Sequence, residues 1–283
     1  MKELPSVLQV QGLGSGRWAG PNPENDPEGR DIVFSGQILG QMIMACSDVV
    51  EGEKEVKSLH AVFARAGKYS AGNVELALEP MHAGRAWASH TVTAFQSDVL
   101  LSRGLALLNA IEADLMRHSP AMPDVPAPDL CTPKHFGTVF PESEVRVVDD
   151  LGGVTADGSP VIYFWFRMTE SIDSVAANQA IIAWSTPGFC IGAAMRPHPD
   201  AVNFGEAHRS ISTGVISHTV HFHEHADVAE WLLFAHEGTY AGHGRVFGKG
   251  AVFSGDGVLV STFSQDSMVA RASEPSTGRR TCD

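Results

Sequence analysis

The stretch Val33–Val50, VFSGQILGQMIMACSDVV, decides how this chain folds. Apolar residues fall at Phe34, Ile38, Met42, Ala45 and Val49, with Leu39, Ile43 and Cys46 beside them. That is a wide apolar stripe at helical spacing. Ser35 is placed to cap its start and Gly52 to end it. Gln37 and Gln41 sit one turn apart on one face. A helix of roughly 15 residues, about 22 Å long, that is apolar almost all round has to be wrapped by other chain.

The segments that follow are of the wrapping kind. Ser58–Arg65, Asn73–Pro80 and Ala86–Gln96 carry the period-two alternation of strands. Val99–Ile111 reads as a strand too, although its leucines allow a helix. Ser97-Asp98 makes a tight hairpin before it. Ahead of the helix, Val7–Val10 reads as a strand. The Gly, Pro and Asn-rich run after it reads as loop, with Trp18 as an anchor.

Residues 118–143 are Pro-rich, which suits neither a ladder nor a helix interior. They read as an extended linker and as the domain boundary. The division expected is 1–117, the linker 118–143, a second domain over 144–272 and a disordered tail over 273–283. The second domain repeats the pattern. Strands are expected at Glu144–Asp149 and Val161–Met168, then an apolar helix, DSVAANQAIIAWS, N-capped by Asp173. Strands at Gly214–Glu224, Trp231–Gly238, Gly242–Phe253 and Val258–Ser264 follow it, the last two joined by a hairpin at Ser254–Gly257.

The halves are related. An offset of 158 brings His60-Ala-Val-Phe onto His218-Thr-Val-His, Ala94-Phe95 onto Val252-Phe253, and Leu101 onto Leu259. One shift recurring in separate segments indicates duplication. Each half is then a helix clasped by a curved antiparallel sheet, and two halves can join edge to edge.

Composition narrows the function. The 283 residues are 43% hydrophobic and 19% charged, in the range of an ordinary globular protein. A net charge of −13 argues against nucleic acid. The four cysteines, at 46, 131, 190 and 282, have no metal or disulfide spacing, and Cys46 and Cys190 lie in apolar runs. The N-terminus lacks the apolar core of a signal peptide, and no apolar run is long enough to span a bilayer. The expected location is cytoplasmic.

The motifs VFSGQILGQ at 33–41, SLHAVFARAG at 58–67, MRPH at 195–198, ISHTVHFH at 216–223, EWLLF at 230–234 and DGVLVSTFSQ at 256–265 occur in this order, with the Pro-rich linker between the halves. Together they resemble the acyl-CoA thioesterase II (TesB-like) enzymes. The resemblance covers residues 30 to 270. It implies an α+β double hotdog, hydrolysis of acyl-CoA thioesters, no metal, no cofactor and a homo-oligomer. Family members are thought to activate water with an Asp, a Thr and a Gln. On that resemblance the Gln is Gln265, the Asp position holds Thr186 and the Thr position holds Val215. Ser185 and Ser217 lie nearby.

Thioester hydrolysis needs donors for an oxyanion and a positioned water. A helix amino end supplies donors, so the first turn of the Val33–Val50 helix, Ser35-Gly36-Gln37, is a candidate; the turn at Asp173–Ala176 is its rival. His60 is a candidate base. Arg65, Arg245 and Lys249 are candidates for the phosphates of CoA. The run HTVHFHEH carries His at 218, 221, 223 and 225, and alternate histidines on a strand could form a zinc site; the resemblance accounts for His218 and His223 without metal. The expected function is an acyl-CoA thioesterase with altered catalytic groups. The rival is an acyl-CoA-binding protein without turnover, and a hydratase or dehydratase ranks third.

Overall fold

The structure is a computed structural model, and it describes residues 4–23, 29–49, 54–135, 140–148, 153–155, 157–199 and 211–271. Helix α1 spans Ser35–Asp48 and buries Ile38, Leu39, Met42 and Ile43 almost completely. Each such side chain contributes about 1.5–3 kcal/mol by leaving water. The helix starts one residue later than its cap was read: Phe34 occupies the N-cap position and Ser35 is the first helical residue. Gly52 lies outside the described residues, as does the tail beyond Arg271.

Four strands follow α1: β3 (Lys54–Phe63), β4 (Val74–Ala83), β5 (Trp87–Gln96) and β6 (Val99–Ala110). The leucines of β6 alternate in and out, so tertiary burial overrides their helical preference. Ser97 and Asp98 both take positive φ in the β5–β6 turn. The second half has helix α2 (Val175–Ser185) and strands β10 (Ile211–Phe222), β11 (Leu232–Gly242), β12 (Arg245–Ser254) and β13 (Leu259–Arg271). Strand β11 runs past Gly238 to Gly242, its turn is His243-Gly244, and β13 continues beyond Ser264. Ser174, not Asp173, caps α2: its Oγ accepts from the Ala177 N–H at 3.2 Å.

Among the described residues thirteen strands form one antiparallel sheet. With β1 (Gln11–Gly14), β2 (Arg17–Gly20), β7 (Thr132–Lys134), β8 (Ser143–Val147) and β9 (Val161–Met168), its order is β1-β2-β4-β5-β6-β3-β10-β13-β12-β11-β9-β8-β7. Read outward from the central β3–β10 pair, the two halves mirror each other: β6, β5, β4 on one side and β13, β12, β11 on the other. This is the expected double hotdog, with α1 and α2 packed together on the concave face. The irregularities repeat as well. Bulges at Pro80/His82 and Ala94/Phe95 recur at Gly238/Tyr240 and Val252/Phe253, at the offset of 158. The bulge at Val56/Ser58 recurs at Val215/Ser217, an offset of 159.

That extra residue matters because a one-residue slip turns a side chain to the other face of a sheet. His60 is exposed on the outer face and pairs with Thr219, whereas His218 is fully buried on the inner face and pairs with Ala61. The equivalent of His218 is therefore Leu59, and His60 is the equivalent of Thr219.

Three elements depart from the sequence reading. Val7–Val10 is not a strand: Ser6–Leu8 form a 3-10 turn, and Leu8 packs on Gly40 of α1. The Gly-rich run is not all loop. β1 (Gln11–Gly14) and β2 (Arg17–Gly20) form a hairpin around Ser15-Gly16, both at positive φ. The Ser-Gly dipeptide was its signal. Trp18 is an anchor as expected, buried on β2, its Nε1–H donating to Asp48 Oδ2 at 2.8 Å. Helix α3 (Phe189–Met195) follows α2 through a turn at Thr186-Pro187-Gly188 and covers β9 (Val161–Met168), β11 and β12. Gly188, at φ 102°, makes the break possible.

The described part of the Pro-rich segment, 118–135 and 140–143, is structured. It supplies edge strand β7 (Thr132–Lys134), which pairs with β8 (Ser143–Val147). Met122, Val125 and Cys131 pack with Trp165, Leu233, Phe253 and Leu259 in a second apolar cluster, and the Trp165 Nε1–H donates to Pro126 O at 2.9 Å. Cys46 and Cys190 are core residues, and burial pushes both thiols up to about 12. Among the described residues no helix is long and apolar enough to cross a membrane.

The two helices run antiparallel and touch where Gly36 meets the carboxyl end of α2. A Cβ on Gly36 would stand 2.2 Å from Trp184 O and 2.5 Å from the Phe34 ring. A carbonyl inside a helix cannot yield. Gly36→Ala is therefore expected to cost about 3 kcal/mol, at the upper end for overpacking, and about 10 °C in Tm, measured by thermal unfolding.

Candidate functional site

The carboxyl end of α2 meets β10 and β13 in a buried chain of polar groups. Thr186, the C-cap of α2, has its Oγ1 2.8 Å from both Ala183 O and His218 Nε2. His218 Nδ1 lies 3.2 Å from Gln265 Oε1, and the Gln265 Nε2–H donates to Ser267 Oγ at 2.8 Å. All four side chains are at most 1% exposed. Cross-strand pairing of His218 with Gln265 fixes the middle link, and the α2–Pro187 break fixes Thr186. With the amide in this orientation Nδ1–H donates to Gln265 and Nε2 is left as an acceptor, so Ala183 O and His218 Nε2 compete for the single Thr186 hydroxyl proton. Desolvation lowers the His218 imidazole to about 4, against a partial opposing effect of the Gln265 hydrogen bond. The ring is neutral at physiological pH.

His236 on β11 completes the cluster. Its Nε2–H donates to Thr186 O at 3.0 Å, its Nδ1 has no partner, and the rings of Phe164, Phe189, Phe234 and Phe263 surround it. Burial lowers this imidazole to about 3. Sequence reading passed over His236, which stands in an apolar strand.

The duplication shows how one-sided this cluster is. The offsets place Leu59, Leu78, Ala106 and Leu108 of the first half where the second half has His218, His236, Gln265 and Ser267, and all four are buried. The helices carry a matching signal: QMIMACSD at 41–48 and QAIIAWST at 179–186 agree at four of eight positions and set Thr186 against Asp48. That alignment was available in the sequence and marks the end of α2 as a special position.

The other residues singled out from sequence fall in several places. Val215 is half-buried opposite Ser267, near the chain but without a polar atom. The Ser185 hydroxyl turns back on Ile181 O at 2.9 Å. The Ser217 hydroxyl donates to Asp266 at 3.2 Å on the outer face, where His60 also lies, 2.7 Å from Thr219 Oγ1. Neither touches the buried chain. Gly36 packs on the Trp184 carbonyl, two residues before Thr186 in the chain. Gln37 is fully buried and donates to Asn22 Oδ1 and Pro21 O, while its Oε1 has no partner. Arg65 is exposed just beyond β3. Arg245 and Lys249 are exposed on β12 of the other half, and Lys249 pairs with Glu237 at 3.4 Å. Of the histidine run, His218 points inward, His223 meets Thr262 at 2.8 Å and His225 meets Glu55 at 2.5 Å. Among the described residues no three His, Cys, Asp or Glu side chains converge on a metal position.

Comparison with known proteins agrees with this architecture. A family model described as the acyl-CoA thioesterase C-terminal domain matches residues 116–269. Acyl-CoA thioesterase 2 of Haemophilus influenzae is 26% identical over 257 residues, covering 84% of this chain and 87% of that protein. Acyl-coenzyme A thioesterase 8 of Mus musculus is 24% identical over 264 residues, covering 84% and 80%. The crystal structure of acyl-CoA thioesterase II TesB2 from Mycobacterium marinum superposes with a TM-score of 0.79 at 22% identity, covering 96% of this chain and 99% of that one. The matched domain takes in the structured Pro-rich segment and every second-half residue of the buried cluster, so the chain belongs to the acyl-CoA thioesterase family.

Proposed function

We propose that this protein hydrolyses acyl-CoA thioesters at the junction between the carboxyl end of α2 and the amino end of α1. The observation that carries the proposal is the buried Thr186–His218–Gln265–Ser267 chain, built where the other half of the duplication is apolar. Burying four polar side chains costs free energy that only their hydrogen bonds offset, and the apolar equivalents in the other half show that the fold does not require them. The N–H groups of Ser35 and Gly36, in the first turn of α1, have no acceptor within their helix and supply donors for the developing oxyanion. The attacking water gives its proton to Thr186 Oγ as the Thr186 proton passes to His218 Nε2. The C–S bond breaks, and the thiolate of CoA recovers the proton. No carboxylate takes part. A base lowered to about 4 is weaker than one matched to neutral pH, so turnover is slow. Arg65, beyond β3 on the same side of the sheet as the start of α1, is the phosphate contact this arrangement favours; a homo-oligomer and a cytoplasmic location fit the same reading.

A second reading is a binding protein without turnover. The complete burial of Thr186 and the lack of a hydroxyl at Val215 favour it. A thiol-release assay over acyl-CoAs of increasing chain length, run beside calorimetry, separates the two. Release above buffer for at least one chain length is the expected result. Heat of binding with no release establishes the second reading, and neither signal removes both.

A further inference from the structure

The pseudo-twofold that exchanges α1 and α2 carries the amino end of α1 onto the amino end of α2, and there the protein has an open cavity of about 480 Å³. Its apolar walls are Ile172, Val175, Ile182 and Phe222. Helix α2 has eleven residues, and the N–H groups of Val175 and Ala176 have no acceptor within it. Gln179 lines the cavity and is 7% exposed; its Nε2–H donates to Val56 O, while its Oε1 has no partner. Gln179 therefore brings to the cavity lining a buried acceptor that the fold itself leaves unsatisfied.

The fourth feature is a dyad. His225 lines the cavity, and its Nε2 lies 2.5 Å from Glu55 Oε2. A carboxylate holding one ring nitrogen fixes the tautomer and leaves Nδ1 with its lone pair, the arrangement general-base catalysis uses. The mouth selects the ligand. Asp173, Glu224 and Asp227 line the cavity, and Glu55 is bound to His225. Arg117 pairs with Glu224 at 2.7 Å, and Ser171 and the Ala229 N–H bind Asp227. This acidic rim repels the phosphates of CoA.

We propose that this cavity is a second site, which binds uncharged acyl esters and hydrolyses them with His225 as base and Glu55 as its orienting partner. Water attacks the ester carbonyl while His225 Nδ1 takes its proton. The amide N–H groups of α2 hold the oxyanion. The ester C–O bond then breaks, the alcohol or phenolate departs, and His225 returns the proton to it or to solvent. The products are a carboxylic acid and an alcohol, and no co-reactant beyond water is needed.

The probe is p-nitrophenyl butyrate, with nitrophenolate release followed on the full chain. The expected results are turnover above buffer, a loss of at least tenfold in His225→Gln and in Glu55→Gln, and a similar loss in Val175→Trp, which plugs a half-exposed position at the mouth. A saturating acyl-CoA thioether is expected to leave ester turnover unchanged. Absence of turnover overturns the proposal. So does turnover that survives Val175→Trp, which marks unspecific surface histidines, or turnover blocked by the thioether, which marks a single shared site. Circular dichroism and Tm confirm that each variant is folded. Ester turnover without CoA release leaves this inference standing and removes the thioesterase proposal; the reverse result removes this inference alone.

Discussion

Gln265→Ala is expected to lower CoA release by about 10²–10³-fold, the range for deleting one preorganised polar group at a reacting centre, with the sheet still folded. Gln265 is held by its position on β13 and bridges His218 Nδ1 and Ser267 Oγ. Truncation leaves both groups buried without partners. The stability cost of that is about 1–3 kcal/mol, which a chain of this size can lose and remain native. Activity falls much further, because without the amide the imidazole is free to turn and Nε2 no longer faces Thr186. Gln265→Glu is the informative companion. Its carboxylate accepts Nδ1–H in the same geometry and stabilises the imidazolium, so the His218 pKa rises from about 4. The acidic limb of the pH–rate profile is then expected to move upward, with part of the activity restored. A merely structural Gln265 predicts equal losses in both variants and an unmoved limb. Activity in Gln265→Ala equal to the parent, at equal Tm, removes the residue from the mechanism.

How far this could be read from the sequence depended on whether a residue's role was periodic or relational. The α1 helix, the Val161–Met168 strand and the doubling were legible because a buried helix and a clasping strand impose their spacing on every residue. The β1–β2 hairpin was hidden because β1 exposes all four of its residues and the four residues of β2 are too few to show their alternation; the Ser15-Gly16 turn carried the information. Helix α3 was hidden by Pro187-Gly188, which reads as the start of a loop and serves here as the break between two helices. The site was the least legible part. A constant offset of 158 made His60 and His218 look equivalent, and only the strand pairing, with its matching bulges at Lys57 and Ile216, reveals the offset of 159 that puts them on opposite faces. A bulge has no compositional mark strong enough to fix it from one sequence. Gln265 and Thr186 came from the resemblance. His236 came from neither, since an isolated histidine in an apolar strand acquires meaning only from Thr186 O, 50 residues distant in sequence.

The same buried histidines are expected to make the protein acid-labile well above the pH at which carboxylates titrate. His218 and His236 are lowered from 6.5 to about 4 and about 3 by desolvation. In the unfolded chain both return to 6.5. Below that value the unfolded state binds protons that the native state refuses, so stability falls as pH drops. The loss begins near pH 6.5, continues to about 4 for His218 and about 3 for His236, and is absent above 7. At about 1.4 kcal/mol per unit for each group, two such groups withdraw several kcal/mol by pH 5, a large share of a typical stability. His90, His221 and His223, also lowered by desolvation, act in the same direction. Urea unfolding at pH 7.5, 6.0 and 5.0 should therefore give midpoints that fall steeply through this window. His236→Leu supplies the residue that Leu78 already provides in the other half. It removes an unpartnered Nδ1 along with the bond to Thr186 O, so stability at pH 7.5 should change by no more than about 2 kcal/mol. The slope between pH 6 and 5 should become visibly shallower. Equal midpoints at pH 7.5 and 5.0 in the parent chain would show that these imidazoles reach solvent, and with that the sealed polar chain at the end of α2 would lose its physical basis.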